Sequence, residues 1–201
     1  MTPTIPKLTT FDEFLEWKPE DRRYELHRGT IIEMPNPTGK HSKIAGNLVA
    51  EFNFERRRLQ LPYFIPRECT IKLDDNTGYN PDAIVLDNLS VEIQEYRWDK
   101  ESVITKADSI KLVVEVVSTN WRDDYAHKMT DYEALGIPEY WIIDYLGLGG
   151  NRYIGSPKQP TLSIYSLEDE EYQVKLFRGD TKIESQVFPD LNLTAEQIFQ
   201  G

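Results

Sequence analysis

The most constraining feature of this chain is the run from Ile110 to Val117, IKLVVEVV, nearly continuous in aliphatic residues. Such a run reads as a strand covered on both faces. Just beyond it, Asp123 to Leu135 places Tyr125, Met129, Tyr132 and Leu135 on one helical stripe, which Gly136 and Pro138 bring to a stop. A second strand, Glu139 to Tyr145 (EYWIIDY), follows at once. A strand, helix, strand unit across 110–145 predicts an α/β fold, a mixed β-sheet flanked by helices.

The flanking segments extend this architecture. Thr10-Phe11-Asp12-Glu13 has capping-box spacing, so a short helix is predicted over about 11–18. Arg28-Gly29 reads as the turn of an N-terminal hairpin with Glu25 on its first arm. Ile44, Leu48 and Phe52 recur at helical spacing in a long helix running from Gly39, near His41, to about Leu59. Tyr63 to Leu73 and Pro81 to Leu86 are β-rich, whereas residues 88–108 are polar and read as an irregular excursion. Gly147 to Gly155 reads as a loop, and the alternating segments Leu162 to Leu167 and Tyr172 to Phe177 form a C-terminal β-meander. Gly179-Asp180 is a turn, and Thr194 caps a last short helix.

With 201 residues and 39% hydrophobic content, the chain is expected to fold as a single domain over residues 1–201. No stretch approaches the roughly 20 apolar residues of a membrane-spanning helix, and MTPTIPKLTT lacks a secretory pattern, so a cytoplasmic protein with no membrane partner is expected. One cysteine, Cys69, excludes an internal disulfide or a thiolate zinc cage. A net charge of -11 argues against a nucleic-acid partner, but the charge is uneven. Residues 1–130 carry 18 basic and 22 acidic side chains, against 5 and 12 in residues 131–201. Arg22, Arg23, Lys40, Lys43 and Arg56 to Arg58 therefore place any polyanion face in the first part, although Arg56 to Arg58 also suit a solvated helix end.

Two acids stand inside apolar strands. Glu115 interrupts Val113-Val114 and Val116-Val117, and Asp82 follows Pro81 at the head of Ala83-Ile84-Val85-Leu86. An ionised carboxylate there needs a cationic partner, a helix N-terminus, water at a strand end or a metal ion. Taken singly, Asp82 also reads as a turn residue and Glu115 as half of a structural ion pair.

Together, Asn80-Pro81-Asp82 and, 33 residues on, Val114-Glu115-Val116-Val117 resemble the PD-(D/E)xK nuclease motif. Tyr24 to Gly29, His41 opening a long helix, and Tyr132-Glu133-Ala134-Leu135-Gly136-Ile137-Pro138-Glu139-Tyr140-Trp141 occur around it in the order of one family. The chain thus resembles, over about residues 8–198, the putative restriction endonuclease family of that superfamily, formerly a domain of unknown function. The resemblance implies a restriction endonuclease-like fold and a DNA endonuclease using Mg²⁺, with Mn²⁺ as a substitute. It also implies a homodimer. Hard oxygen donors suit such an ion, with Asp82, Glu115 and the Val116 carbonyl as its metal ligands. The superfamily lysine would stand two positions after the glutamate, where this chain has Val117. The resemblance implies a migrated residue at Lys128, although an ordinary i,i+4 pair with Asp124 explains that lysine equally. Catalytic roles then fall to Asp82, Glu115, Lys128 and Glu25, Glu25 matching a further acid of such nucleases or standing as a surface strand residue. His41, in the first turn of a helix, is a substrate-binding candidate or a capping histidine.

Two other classes compete. The valine at 117 and the acidic total favour a catalytically inactive nuclease-fold protein that binds DNA or a protein partner. Paired acids such as Glu25 and Glu115 would alternatively serve glycoside hydrolysis, but no aromatic sugar platform flanks them.

Overall fold

The computed structural model describes residues 8–19 and 21–201. The first seven residues, and with them most of the segment read for a secretory pattern, lie outside the described residues. Helix α1 (Phe11–Trp17) starts in the capping box formed by Thr10 and Glu13. Strands β1 (Arg23–His27) and β2 (Thr30–Met34) form the expected hairpin, its turn made by Arg28 and Gly29 at positive φ. Helix α2 (Gly39–Arg58) follows an N-cap at Thr38 and buries Ile44, Leu48 and Phe52 along one side.

The β-rich run after it divides into two short strands, β3 (Tyr63–Phe64) and β4 (Thr70–Lys72). Then come β5 (Gly78–Tyr79), β6 (Ala83–Asp87), α3 (Asn88–Gln94), α4 (Trp98–Glu101) and β7 (Val103–Ile104). Residues 88–108 are therefore not the irregular excursion their polarity predicts. Asp87 caps α3 through its side chain, and buried Glu95 accepts the N–H groups of Thr105 and Lys106, which ties the segment down. Strand β8 (Ile110–Val116) leads through a π-helical turn, Asp123–Lys128, into α5 (Met129–Leu135) and then β9 (Glu139–Asp144). A single helical turn, α6 (Asn151–Ile154), interrupts the glycine-rich loop. Strands β10 (Thr161–Glu168) and β11 (Glu171–Phe177) complete the meander, and α7 (Ala195–Gln200) closes the chain behind Thr194.

The mixed α/β expectation holds, with the strands divided between two sheets. The larger has the order β11-β10-β9-β8-β6-β3, with β8 and β9 parallel across their helical crossover. The smaller, β2-β1-β5-β4-β7, carries the hairpin. Strand alternation decides what each face presents. Leu112, Val114 and Val116 of β8 enter one apolar cluster with α2, Trp141 and Phe188. Val113 and Val117 enter the cluster on the opposite face with Tyr125, Tyr132 and Tyr140, so Glu115 projects toward the π turn and α5.

Glu139 is buried at the start of β9, and its carboxylate accepts from Trp141 Nε1 (2.6 Å), Ser185 Oγ (2.7 Å) and the N–H groups of Gln186 (2.6 Å) and Val187 (3.3 Å). It thereby pins the C-terminal segment to the sheet. Glu139→Ala orphans these donors and is expected to cost about 3 kcal/mol, read from urea unfolding midpoints. Glu139→Gln keeps acceptor capacity and is expected to cost less.

Candidate active site

The start of β6 meets the end of β8. Asp82 N–H donates to the Val114 carbonyl (3.1 Å), and Val116 N–H donates back to Asp82 Oδ2 (2.8 Å). This reciprocal pair fixes the Asp82 carboxylate beside the strand that carries Glu115. Glu25 approaches from the smaller sheet. On β1 its neighbours Tyr24 and Leu26 pack into the cluster with Phe11 and Phe14, so alternation turns Glu25 the other way. It is 1% exposed, which removes the reading of a surface strand residue. Asn80 N–H donates to its Oε1 (2.9 Å), and His27 Nε2 lies 2.9 Å from its Oε2.

Lys128 joins the two sheets. Its Nζ lies 3.1 Å from Glu25 Oε1, 3.0 Å from Glu115 Oε1 and 3.9 Å from Asp124 Oδ1, with the side chain buried. The helical pair with Asp124 and the partnership with the strand acids are thus both present. Tyr132 OH donates to Glu115 Oε1 (3.1 Å), one turn along the same helix.

Three acids around one lysine, with Asp82 close by, leave an excess of negative charge. Burial, reinforced by Asp82, Asp124 and Glu25, pushes the Glu115 carboxyl well above the usual range despite the neighbouring ammonium. Burial likewise moves Asp124 up to about 7 against the pull of Lys128. For Glu25, burial is outweighed by Lys128, His27 and the Asn80 N–H, which bring it down to about 2. Lys128 is held well above the ordinary lysine value, because Glu115, Glu25 and Asp124 outweigh its burial.

His41, in the first turn of α2, turns inward. Its Nε2 lies 3.2 Å from Asp82 Oδ2, and its ring also faces the Val116 carbonyl. Burial opposes protonation of His41, but the Asp82 hydrogen bond and charge raise its pKa overall. His41 therefore stands beside Asp82 and Val116, two of the three residues expected to ligate a metal.

The donor set still suits a hard divalent ion. Among the described residues Asp82 Oδ1 and Glu115 Oε2 accept no hydrogen bond, and both belong to carboxylates crowded by like charge. No group of three or more His, Cys, Asp or Glu side chains among the described residues forms a cage. A pair of carboxylates is the provision Mg²⁺ ordinarily uses, since it keeps several waters and takes further oxygens from substrate phosphates.

The comparisons give the family and the fold. The family model of Uma2, described as "Putative restriction endonuclease", matches residues 11–196. The chain belongs to the Uma2 family. Its fold is shared with the crystal structure of a putative nuclease of DUF820 from Anabaena variabilis, at a TM-score of 0.69 and 21% identity over 94% of this chain and 97% of that one. No curated protein matches the chain.

Within this Uma2 chain, Glu25, Asp82, Glu115, Lys128 and His41, named from separate stretches of sequence, are brought together in one connected cluster. Sequence reasoning missed Asp124, Tyr132 and His27. Asp124 had a signal in its i,i+4 spacing to Lys128, and Tyr132 in its further step of four along the same stripe. The basic run Arg56 to Arg58 lies away from the cluster, 15 residues or about 22 Å down α2 from His41. Arg58 there pairs with Glu55 and Asp190, as a helix end would.

Proposed function

We propose that this protein is a divalent-metal-dependent endonuclease hydrolysing DNA phosphodiesters by in-line attack of water. The observation that carries the reading is Lys128 Nζ within 3.1 Å of both Glu25 and Glu115, beside the strand end that holds Asp82. A lysine that follows the glutamate strand and touches its glutamate supports the reading of a migrated residue. Family membership and the shared fold support the same reading.

Asp82 and Glu115 would hold the ion, which supplies charge neutralisation on the phosphate and a more acidic bound water. Lys128 orients the attacking water and stabilises negative charge growing on the phosphate oxygens. Glu25, itself fixed by His27 and Asn80, aims the ammonium, and Tyr132 fixes the Glu115 carboxylate. His41 holds Asp82 in register, leaving Asp82 Oδ1 for the cation. The resemblance also proposes a homodimer, whose two sites would serve the two strands.

One observation favours the alternative of a silent binding module: Lys128 is already paired with three carboxylates. Incubation with plasmid, single-stranded and branched DNA, with and without Mn²⁺, separates the two. Metal-dependent cleavage supports the enzyme. Tight DNA binding with every substrate left intact supports the binder.

A further inference from the structure

The loop linking Glu115 to the π turn and the loop after β9 leave the carboxyl ends of the same two parallel strands, and they meet. There Trp121 packs over Gly150, so closely that a Cβ at Gly150 would fall 2.9 Å from the indole. Tyr153 stacks on Tyr125 at 5.0 Å between ring centroids. Three cations are laid on these rings. The guanidinium of Arg122 lies 4.6 Å from the Trp121 ring, that of Arg152 lies 4.6 Å from Tyr153, and Lys158 Nζ lies 5.9 Å from Trp121 while bonding the Leu148 carbonyl. All three residues are exposed at the surface.

Two facts favour an anionic ligand at this patch in a chain of net charge -11. Among the described residues neither Arg122 nor Arg152 has an acidic partner within salt-bridge distance, and the adjacent acid, Asp123, is engaged by Asn120 and His127. Second, residues 131–201 contain only five basic side chains, and two of them, Arg152 and Lys158, are gathered here. Cations held on aromatic faces are partly ordered and desolvated in advance, which lowers the cost of engaging an anion. Asp124, two residues after Arg122, reaches Lys128, so the patch borders the carboxylate cluster.

We infer that the surface formed by Trp121, Arg122, Arg152, Tyr153 and Lys158 seats the sugar-phosphate backbone of a DNA strand flanking the candidate cleavage site. This rests on the nuclease reading, but it is tested without cleavage. A fluorescein-labelled DNA duplex and its single strand are titrated by anisotropy with the full chain in EDTA, over a range of salt. Arg122→Gln/Arg152→Gln is compared with Arg56→Gln/Arg57→Gln, which removes the same charge at the far end of α2. The first pair is expected to lower affinity about tenfold or more at low salt and to reduce the slope of log K against log salt by about 2, with little change in the second. Equal losses in both variants, no loss in either, or absence of DNA binding by the unaltered chain overturns the inference. Poly-glutamate competing as well as DNA of equal charge also overturns it, by making the patch a general polyanion site. A patch that binds DNA in a chain that never cuts it contradicts the nuclease assignment alone. Cleavage with the patch variant binding normally contradicts the patch alone.

Discussion

Replacing Lys128 with methionine is expected to lower stability by about 3–5 kcal/mol and to reduce Mn²⁺-dependent cleavage at least a hundredfold. The stability loss follows from what remains behind. Glu25, Glu115 and Asp124 all have oxygens within 4 Å of the Lys128 ammonium, and Glu25 and Glu115 are almost fully buried. Without the cation they repel one another in a medium that screens poorly. Methionine matches the lysine stem in length, so the loss reports charge rather than a cavity. Urea unfolding in EDTA measures it directly. Lys128→Arg keeps the charge, yet a planar guanidinium does not reproduce a compact ammonium between two carboxylates, so partial rescue of stability with little rescue of cleavage is expected.

Glu115→Gln is expected to abolish cleavage to a similar extent while leaving stability unchanged or slightly raised. Burial and three neighbouring acids hold the Glu115 carboxyl well above its ordinary pKa, so keeping it ionised costs stability relative to the unfolded chain. Glutamine removes that charge and keeps an oxygen for Tyr132 and Lys128, whose ammonium retains Glu25 and Asp124. The two substitutions thus silence the same site with opposite effects on unfolding. A general loss of structure would move both in one direction. If Glu115→Gln proves as destabilising as Lys128→Met, the reading of the cluster as over-supplied with negative charge is wrong.

What the sequence disclosed depended on how local its cause was. Helix α2 and the β8 to β9 unit were legible because apolar periodicity and caps act within a few residues of the chain. Strand β5, with two residues, exists because Gly78 pairs with Leu26 and Tyr79 with Ile71, partners that no local pattern names. The helices in 88–108 were hidden for a related reason. The polarity of the stretch does not disclose that Asp87 and Glu95 each bond the backbone that they stabilise.

At the site, the acids in apolar strands were conspicuous in the sequence because burial of charge demands a partner. Which partner they found was not. Glu25 and Lys128 are 103 residues apart and meet only because the smaller sheet brings β1 against the π turn. His41 was placed correctly at a helix start, but its inward turn onto Asp82 is a tertiary fact. The patch around Trp121 gathers Arg122, Arg152 and Lys158 from separate segments, so the sequence distribution of charge pointed instead to Arg22, Arg23, Lys40, Lys43 and Arg56 to Arg58.

On the reading proposed here Asp82, Glu115 and Lys128 act together on a phosphodiester. The most direct measurement is the single-turnover cleavage rate of a labelled DNA strand in saturating Mn²⁺, for the unaltered chain, Glu115→Gln and Asp82→Asn. The expected result is cleavage by the unaltered chain, its absence in EDTA, and a loss of at least about a hundredfold in both variants. Equal rates in all three proteins, or cutting that persists in EDTA, would contradict it.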